Sequence, residues 1–421
     1  MKHGYYIIYF SSSALSFCKS IALAAIVPTI AFGQYSLFTA LALFSSILVD
    51  SGGTYISSKT FPRLWRDGRN PEVLYASQSL IYRILRRSLI ALLLGSLLFL
   101  SAGYSRWIYG YLLVVVLASQ VAFSSVQSST LRASGDHLAL AKSALVRSLL
   151  VLFLACLGGY FFSAYGALLG DSFGFFLSFI YASRLTNGLD HGSSIATPLR
   201  IDKLIAMGSL RGGEPLRLAA LISAIPAYLD RVFVSLAFGM EAVGQYSFLM
   251  LFVTASSVVS GIGAQKLGPA IVAQAYIDCN SQHTNTLLSR SCKYALIRQM
   301  LITLTVGIGG LVILFYTPLA FQVTRYSIPA SGVIAAFALS LFSVSIYFDW
   351  IMMAGNSERY ILRSNLIYIA LYAIALFVLR YMFHDPSVVT LLVTILIVKV
   401  SLTIIQFYWM RRALFFRSIC L

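Results

Sequence analysis

Apolar stretches of bilayer-crossing length recur from one end of this chain to the other, and that leaves few folds open. Leu89 to Leu100, Tyr111 to Ala118, Leu366 to Leu379 and Val388 to Val398 are apolar with hardly a break. A helix needs about 20 such residues to cross roughly 30 Å of hydrocarbon. In lipid only helices and closed barrels satisfy every backbone group, and the alternating strand pattern of a barrel is absent. Of the 421 residues, 59% are hydrophobic and 11% charged. An ordinary soluble domain carries about a quarter charged residues, so no soluble core could absorb this apolar surface. The sequence reads as an all-α integral membrane protein.

Twelve spans are predicted, at roughly residues 5–30, 35–56, 88–104, 107–126, 144–162, 165–182, 216–238, 246–267, 295–316, 329–352, 366–383 and 387–410. The net charge of +17 would suggest nucleic acid in a soluble protein, but here Lys and Arg sit in clusters between apolar runs. With the N-terminus inside, the cytoplasmic segments receive Lys59 to Arg87, then Arg132, Lys142 and Arg147, and the tail receives Arg411, Arg412 and Arg417. Only Arg106, Arg325 and Arg380 fall on the other side. Positive loops resist translocation, so both termini are expected in the cytoplasm, with a retained first helix and no nucleic-acid partner. The five cysteines show no metal-ligand spacing, and no cofactor is indicated.

Gly33-Gln-Tyr-Ser near the second span returns as Gly244-Gln-Tyr-Ser near the eighth, six helices later. The chain is thus expected to divide into two pseudo-symmetric six-helix bundles around a central cavity. The N-terminal bundle spans 1–190, a cytoplasmic linker 191–215 and the C-terminal bundle 216–421. Paired bundles of this kind hold their substrate between the halves.

Ionisable groups at mid-membrane are the first functional candidates, because each costs several kcal/mol unless it faces protein or water. They are Lys19, Asp50, Asp171, Asp230, Arg231, Asp349 and Lys399. Ser12, Ser16, Lys19 and Ser20 form one polar stripe at helical spacing, as do Gln120, Ser124, Gln127 and Ser128. Such stripes line a wet interior or, equally well, pack helices together. At the repeat offset Lys19 aligns with Asp230, which suggests an ion pair between them. Asp50 and Asp349 lie nearer helix ends, where a capping carboxylate is the plainer reading, and Asp171 is open between roles. The expected substrate path comprises Lys19, Arg231, Lys399, Asp230, Asp50, Asp171, Gln120 and Ser16, with no catalytic residue and no metal.

The first helix ending before Phe32-Gly-Gln-Tyr-Ser, the Leu48-Val-Asp-Ser-Gly-Gly end of the second and Tyr228-Leu-Asp-Arg of the seventh resemble the polysaccharide transporter family. These are the O-antigen and exopolysaccharide flippases of the superfamily that also holds the multidrug extruders. Gly261 stands where a repeat of Asp50 would fall, so no symmetric acidic pair carries over. The resemblance implies export of an undecaprenyl-pyrophosphate-linked oligosaccharide from the inner to the outer leaflet of a bacterial inner membrane, by alternating access. H+ or Na+ and other polysaccharide assembly proteins are the further partners it leaves open. No GxxxxGK[ST] phosphate loop is present to bind ATP. The rival readings are a multidrug or cation antiporter of the same superfamily, or a membrane-embedded glycan polymerase or ligase. The latter needs a substantial outer loop that this chain lacks.

Overall fold

The computed structural model describes residues 2–101 except Ser51, Gly103, and residues 108–188, 230–277, 330–342, 358–382 and 387–417, with isolated positions between. The expected linker 191–215, most of the ninth span, Pro226 of the seventh, and the Gly307-Ile-Gly-Gly run lie outside the described residues. Among those residues the elements are helices. They are α1 (Lys2–Ile26), α2 (Thr29–Asp50), α3 (Gly53–Arg66), α4 (Asn70–Ser101), α5 (Ile108–Ala133), α6 (His137–Asn187), α7 (Asp230–Ile277), α8 (Ala330–Leu341), α9 (Glu358–Met382) and α10 (Val388–Arg417). Eight of them are long and apolar enough to cross a membrane. The contacts divide the chain into two units, Met1–Phe233 and Val234–Leu421.

In the first unit, α1, α2, α4, α5 and the two arms of α6 supply six crossings. At 51 residues α6 would run about 77 Å if straight, more than twice the hydrocarbon thickness. It is instead a hairpin, broken at Phe162 and Ser163, where Ser163 takes a φ of 57°. Glycines hold the arms together. A Cβ on Gly158 would fall 2.1 Å from the Gly166 carbonyl oxygen, one on Gly170 2.1 Å from that of Leu154, and one on Gly174 2.7 Å from the Val151 Cα. Gly166, Gly170 and Gly174 recur every four residues on the second arm, which lets its backbone press against the first. Exposed Tyr160, Phe161 and Phe162 crowd the tip, as aromatic side chains do at a membrane interface.

The inner segment 58–87, where loops or surface helices are expected, is almost all helical, formed by the end of α3 and the start of α4. Within it α3 buries Phe61 and Leu64 against a core with Val49, Val73, Leu80 and Ile84, and leaves Arg66 exposed. The third crossing begins well before residue 88, since α4 starts at Asn70. Further along α4, Leu89, Leu93, Leu94, Leu97 and Leu98 stand between 51% and 67% exposed, a stripe that only lipid can cover.

The second span also starts earlier than predicted. The chain breaks at Val27-Pro28, so Gly33-Gln-Tyr-Ser lies inside α2 rather than at its entrance. In α7 the break comes at Gly239, whose φ is 84°. Each break precedes its Gly-Gln-Tyr-Ser by five residues. The repeat is therefore a shared local geometry of break and following helix as well as a shared string. In the second unit Tyr246 of that motif is almost fully buried, and Phe248 stacks on Tyr326 with centroids 4.8 Å apart.

Candidate functional site: buried charge clusters

Three helices of the first unit meet at one ion pair. Lys19 Nζ on α1 donates to Asp171 Oδ1 at 3.0 Å and Oδ2 at 3.2 Å on the second arm of α6. It also donates to Tyr35 Oη on α2 at 2.8 Å, and that hydroxyl donates to Asp171 Oδ2 at 2.7 Å. Asp171 is 2% exposed and Lys19 13%. The break at Pro28 turns α2 back past α1, and the close glycine packing of the α6 arms fixes the residue that follows Gly170. Each polar group of the cluster satisfies the others, as buried charges require. A proton arriving on Asp171 would remove its charge, weakening the bonds from Lys19 and Tyr35 together.

Arg231 pairs with its own neighbour. Its backbone N–H donates to Asp230 Oδ1 at 2.7 Å and its guanidinium Nη1 to the same oxygen at 3.3 Å. Its Nε donates to Ser36 Oγ at 2.9 Å, in the residue after Tyr35. The suggested Lys19–Asp230 pair is thus not formed. Lys19 and Asp230 have nearer partners, because Asp171 on the folded-back arm of α6 reaches α1, which a pairing drawn from repeat alignment could not foresee. Asp50 proves to be a cap: both its oxygens accept from the Thr54 N–H, at 3.2 and 2.9 Å, at the start of α3. Arg87 donates to the Val49 carbonyl at 3.1 Å, placing a cation at the C-terminal end of α2.

The first polar stripe is a helix-packing seam at its inner end. Ser12 and Ser16 both bond Ser148 of α6, at 2.9 and 3.0 Å. On α5, Gln127 donates to the Phe179 carbonyl at 3.3 Å and to Ser183 Oγ at 2.6 Å, joining α5 to the second arm of α6. Gln120 Oε1 is buried without a hydrogen-bond partner among the described residues.

Arg147, counted among the cytoplasmic charges although it falls in the fifth predicted span, lies well inside a helix. Its helix begins at His137, capped by Asp136, whose side chain accepts from the Ala139 N–H at 2.8 Å. Arg147 is therefore almost three turns inside α6. It donates to Ser124 of the α5 stripe and holds its guanidinium 5.8 Å from the Phe175 ring centroid. Among the described residues no carboxylate forms an ion pair with it. The signal in the sequence was the N-cap Asp136, which starts the helix earlier than hydropathy alone does.

The second unit carries its own cluster. Gln406 Nε2 on α10 donates to Asp349 Oδ1 at 3.2 Å, and Lys399 Nζ lies 4.5 Å from the Tyr368 ring centroid of α9. Asp349 and Lys399 interact electrostatically without direct contact. Asp349 is thus tied to α10 rather than acting as a simple cap. No group of His, Cys, Asp and Glu able to hold a metal occurs among the described residues.

No protein family matches the sequence, and no curated protein does. Solved structures match its fold. A multidrug resistance MATE family transporter of the MOP superfamily, in an outward-facing conformation, aligns with a TM-score of 0.66 at 17% identity, over 98% of this chain and 94% of its own. A MATE in complex with MaD3S gives 0.69 at 17%, over 98% and 94%. A MOP superfamily transporter from Pyrococcus furiosus, whose binding pocket of reverse polarity suggests a different function, gives 0.62 at 17%, over 98% and 95%. The chain has the fold of these transporters.

Proposed function

We propose that this chain is an ion-coupled exporter that carries an anionic, lipid-linked glycan from the cytoplasmic to the outer leaflet by alternating access. The fold shared with MOP superfamily transporters supports transport, and the buried charges support the sign of the cargo. Among the described residues, Asp171 and Asp230 are paired with Lys19 and Arg231, while Asp50 and Asp349 accept from neutral donors, so the two carboxylates of the first unit's charge clusters are already neutralised by cations of this chain. Arg147 carries the opposite imbalance: a cation well inside its helix, bonded to a hydroxyl and, among the described residues, in no ion pair with a carboxylate. A diphosphate supplies the charge-assisted acceptors that such a guanidinium takes best.

Asp171 is the proposed coupling residue. Protonation frees Lys19 and Tyr35 and loosens α1 and α2 from α6, so the state of one carboxyl biases the packing of three helices. An inside-negative potential further favours outward movement of an anion, by about 2.3 kcal/mol per charge per 100 mV. The undecaprenyl diphosphate portion and the inner-membrane location are what the family resemblance implies, and the cytoplasmic termini rest on the charge bias of the loops.

A second reading, a multidrug antiporter, draws on the multidrug resistance transporters among the solved structures that share the fold. Deleting the protein in its host separates the two. Accumulation of a lipid-linked glycan on the cytoplasmic leaflet supports the first, whereas unchanged glycan with raised sensitivity to cationic drugs supports the second.

A further inference from the structure

We propose that a groove on α4 binds the headgroup of an anionic phospholipid from the leaflet around the protein. The groove measures about 730 Å³, and Arg83, Arg86, Arg87, Tyr75, Tyr82 and Gln78 line most of it. Three guanidiniums within five residues, with no carboxylate in the lining, make a positive concavity with room for a phosphate and the glycerol beside it. Tyr75 and Tyr82 are 44% and 69% exposed and stand two turns apart on the same face as Arg86.

That face continues directly into the exposed leucines. Ile90 closes the groove, and Leu93 and Leu97 follow at the next two turns. One side of α4 thus offers donors for a phosphate and then an apolar track of roughly 16 Å from Arg86 to Leu97, close to an acyl chain's length. Its order of chemistry matches an amphiphile lying along the helix. About a third of the 32-residue α4 is more than the hydrocarbon needs, which puts its first turns at headgroup level. The tyrosines are the amphipathic residues that favour that level. Arg87 also bonds the Val49 carbonyl at the end of α2, so an occupied groove would brace α4 against α2.

The test titrates the purified full chain in neutral detergent with phosphatidylglycerol, phosphatidylcholine or inorganic phosphate, and reads Tm and lipid retained by native mass spectrometry. Phosphatidylglycerol is expected to bind and raise Tm, and the other two to do neither. The Arg83→Gln/Arg86→Gln double variant should weaken phosphatidylglycerol binding by roughly thirtyfold, from two lost interfacial cations. Lys142→Gln, removing an exposed cation elsewhere, should leave it unchanged. Should the double variant not fold, Arg86→Gln alone, at an exposed position, should still lose several-fold. Equal binding of phosphatidylcholine, an equal response to inorganic phosphate, or full retention by a folded variant each overturns the proposal.

Discussion

The Tyr35 hydroxyl donates a hydrogen bond to Asp171 at 2.7 Å while accepting one from Lys19 at 2.8 Å, so a residue of the repeated Gly-Gln-Tyr-Ser string closes the ion pair of the first unit. The motif was legible as a repeat, but its tyrosine's role was not. Because the string lies inside α2, its tyrosine faces Lys19.

Breaking one side of this pair should be costly and breaking both less so. Lys19→Met and Asp171→Leu are each expected to lower stability by about 3–5 kcal/mol, because each leaves a buried charge unpartnered. The double variant should recover part of that loss while remaining inactive in transport. A double-mutant cycle on thermal unfolding checks it. Lys19 and Asp230, which have separate partners, should show additive losses.

Tyr35→Phe keeps the ring and removes the hydroxyl that both bonds use. A loss of about 1–3 kcal/mol is expected, with transport at a given proton gradient reduced more than folded yield. Equal transport per folded molecule would place Tyr35 outside the coupling cluster.

The α6 hairpin makes a steric prediction. Gly170→Val should cost more than about 3 kcal/mol or abolish folding, since even a Cβ meets the Leu154 backbone. Gly188→Ala, where the nearest atoms lie at 3.5 Å with φ −66°, should be tolerated. Expression and thermal stability of the two variants decide it.

Single cysteines introduced in a cysteine-free chain test the orientation. One at exposed Glu241 should label from outside intact cells, and ones at exposed Arg66 and Arg359 only after permeabilisation. The reversed pattern contradicts the cytoplasmic placement of the termini.

Much of the first bundle could be read from the chain, and the reason the rest could not is physical. Hydropathy marks the apolar middle of a helix and misses its polar turns. That is why α2 and α4 begin earlier than predicted, and why α6, capped by Asp136, begins several residues before the fifth predicted span. Asp171 was nominated by its depth alone. Its partner depends on which arm of α6 reaches α1, a tertiary fact carried by Gly158, Gly166, Gly170 and Gly174, whose four-residue spacing was present but not weighed. Lys19 and Arg231 were marked by their depth as substrate-path candidates. Their pairing with Asp171 and Asp230 became visible only with those partners in place.

The account therefore stands most directly on transport by the purified chain in proteoliposomes. Under an imposed proton gradient, the measurement is the rate at which a fluorescent undecaprenyl-diphosphate-linked glycan crosses between leaflets. Wild type should move it faster with the gradient than without. Asp171→Asn should lose the dependence on the gradient, and folded Arg147→Ala should lose most of the rate. If the glycan lipid stays in place while a cationic dye is exported, or if folded Arg147→Ala moves the glycan as fast as wild type, the anionic-cargo account is contradicted.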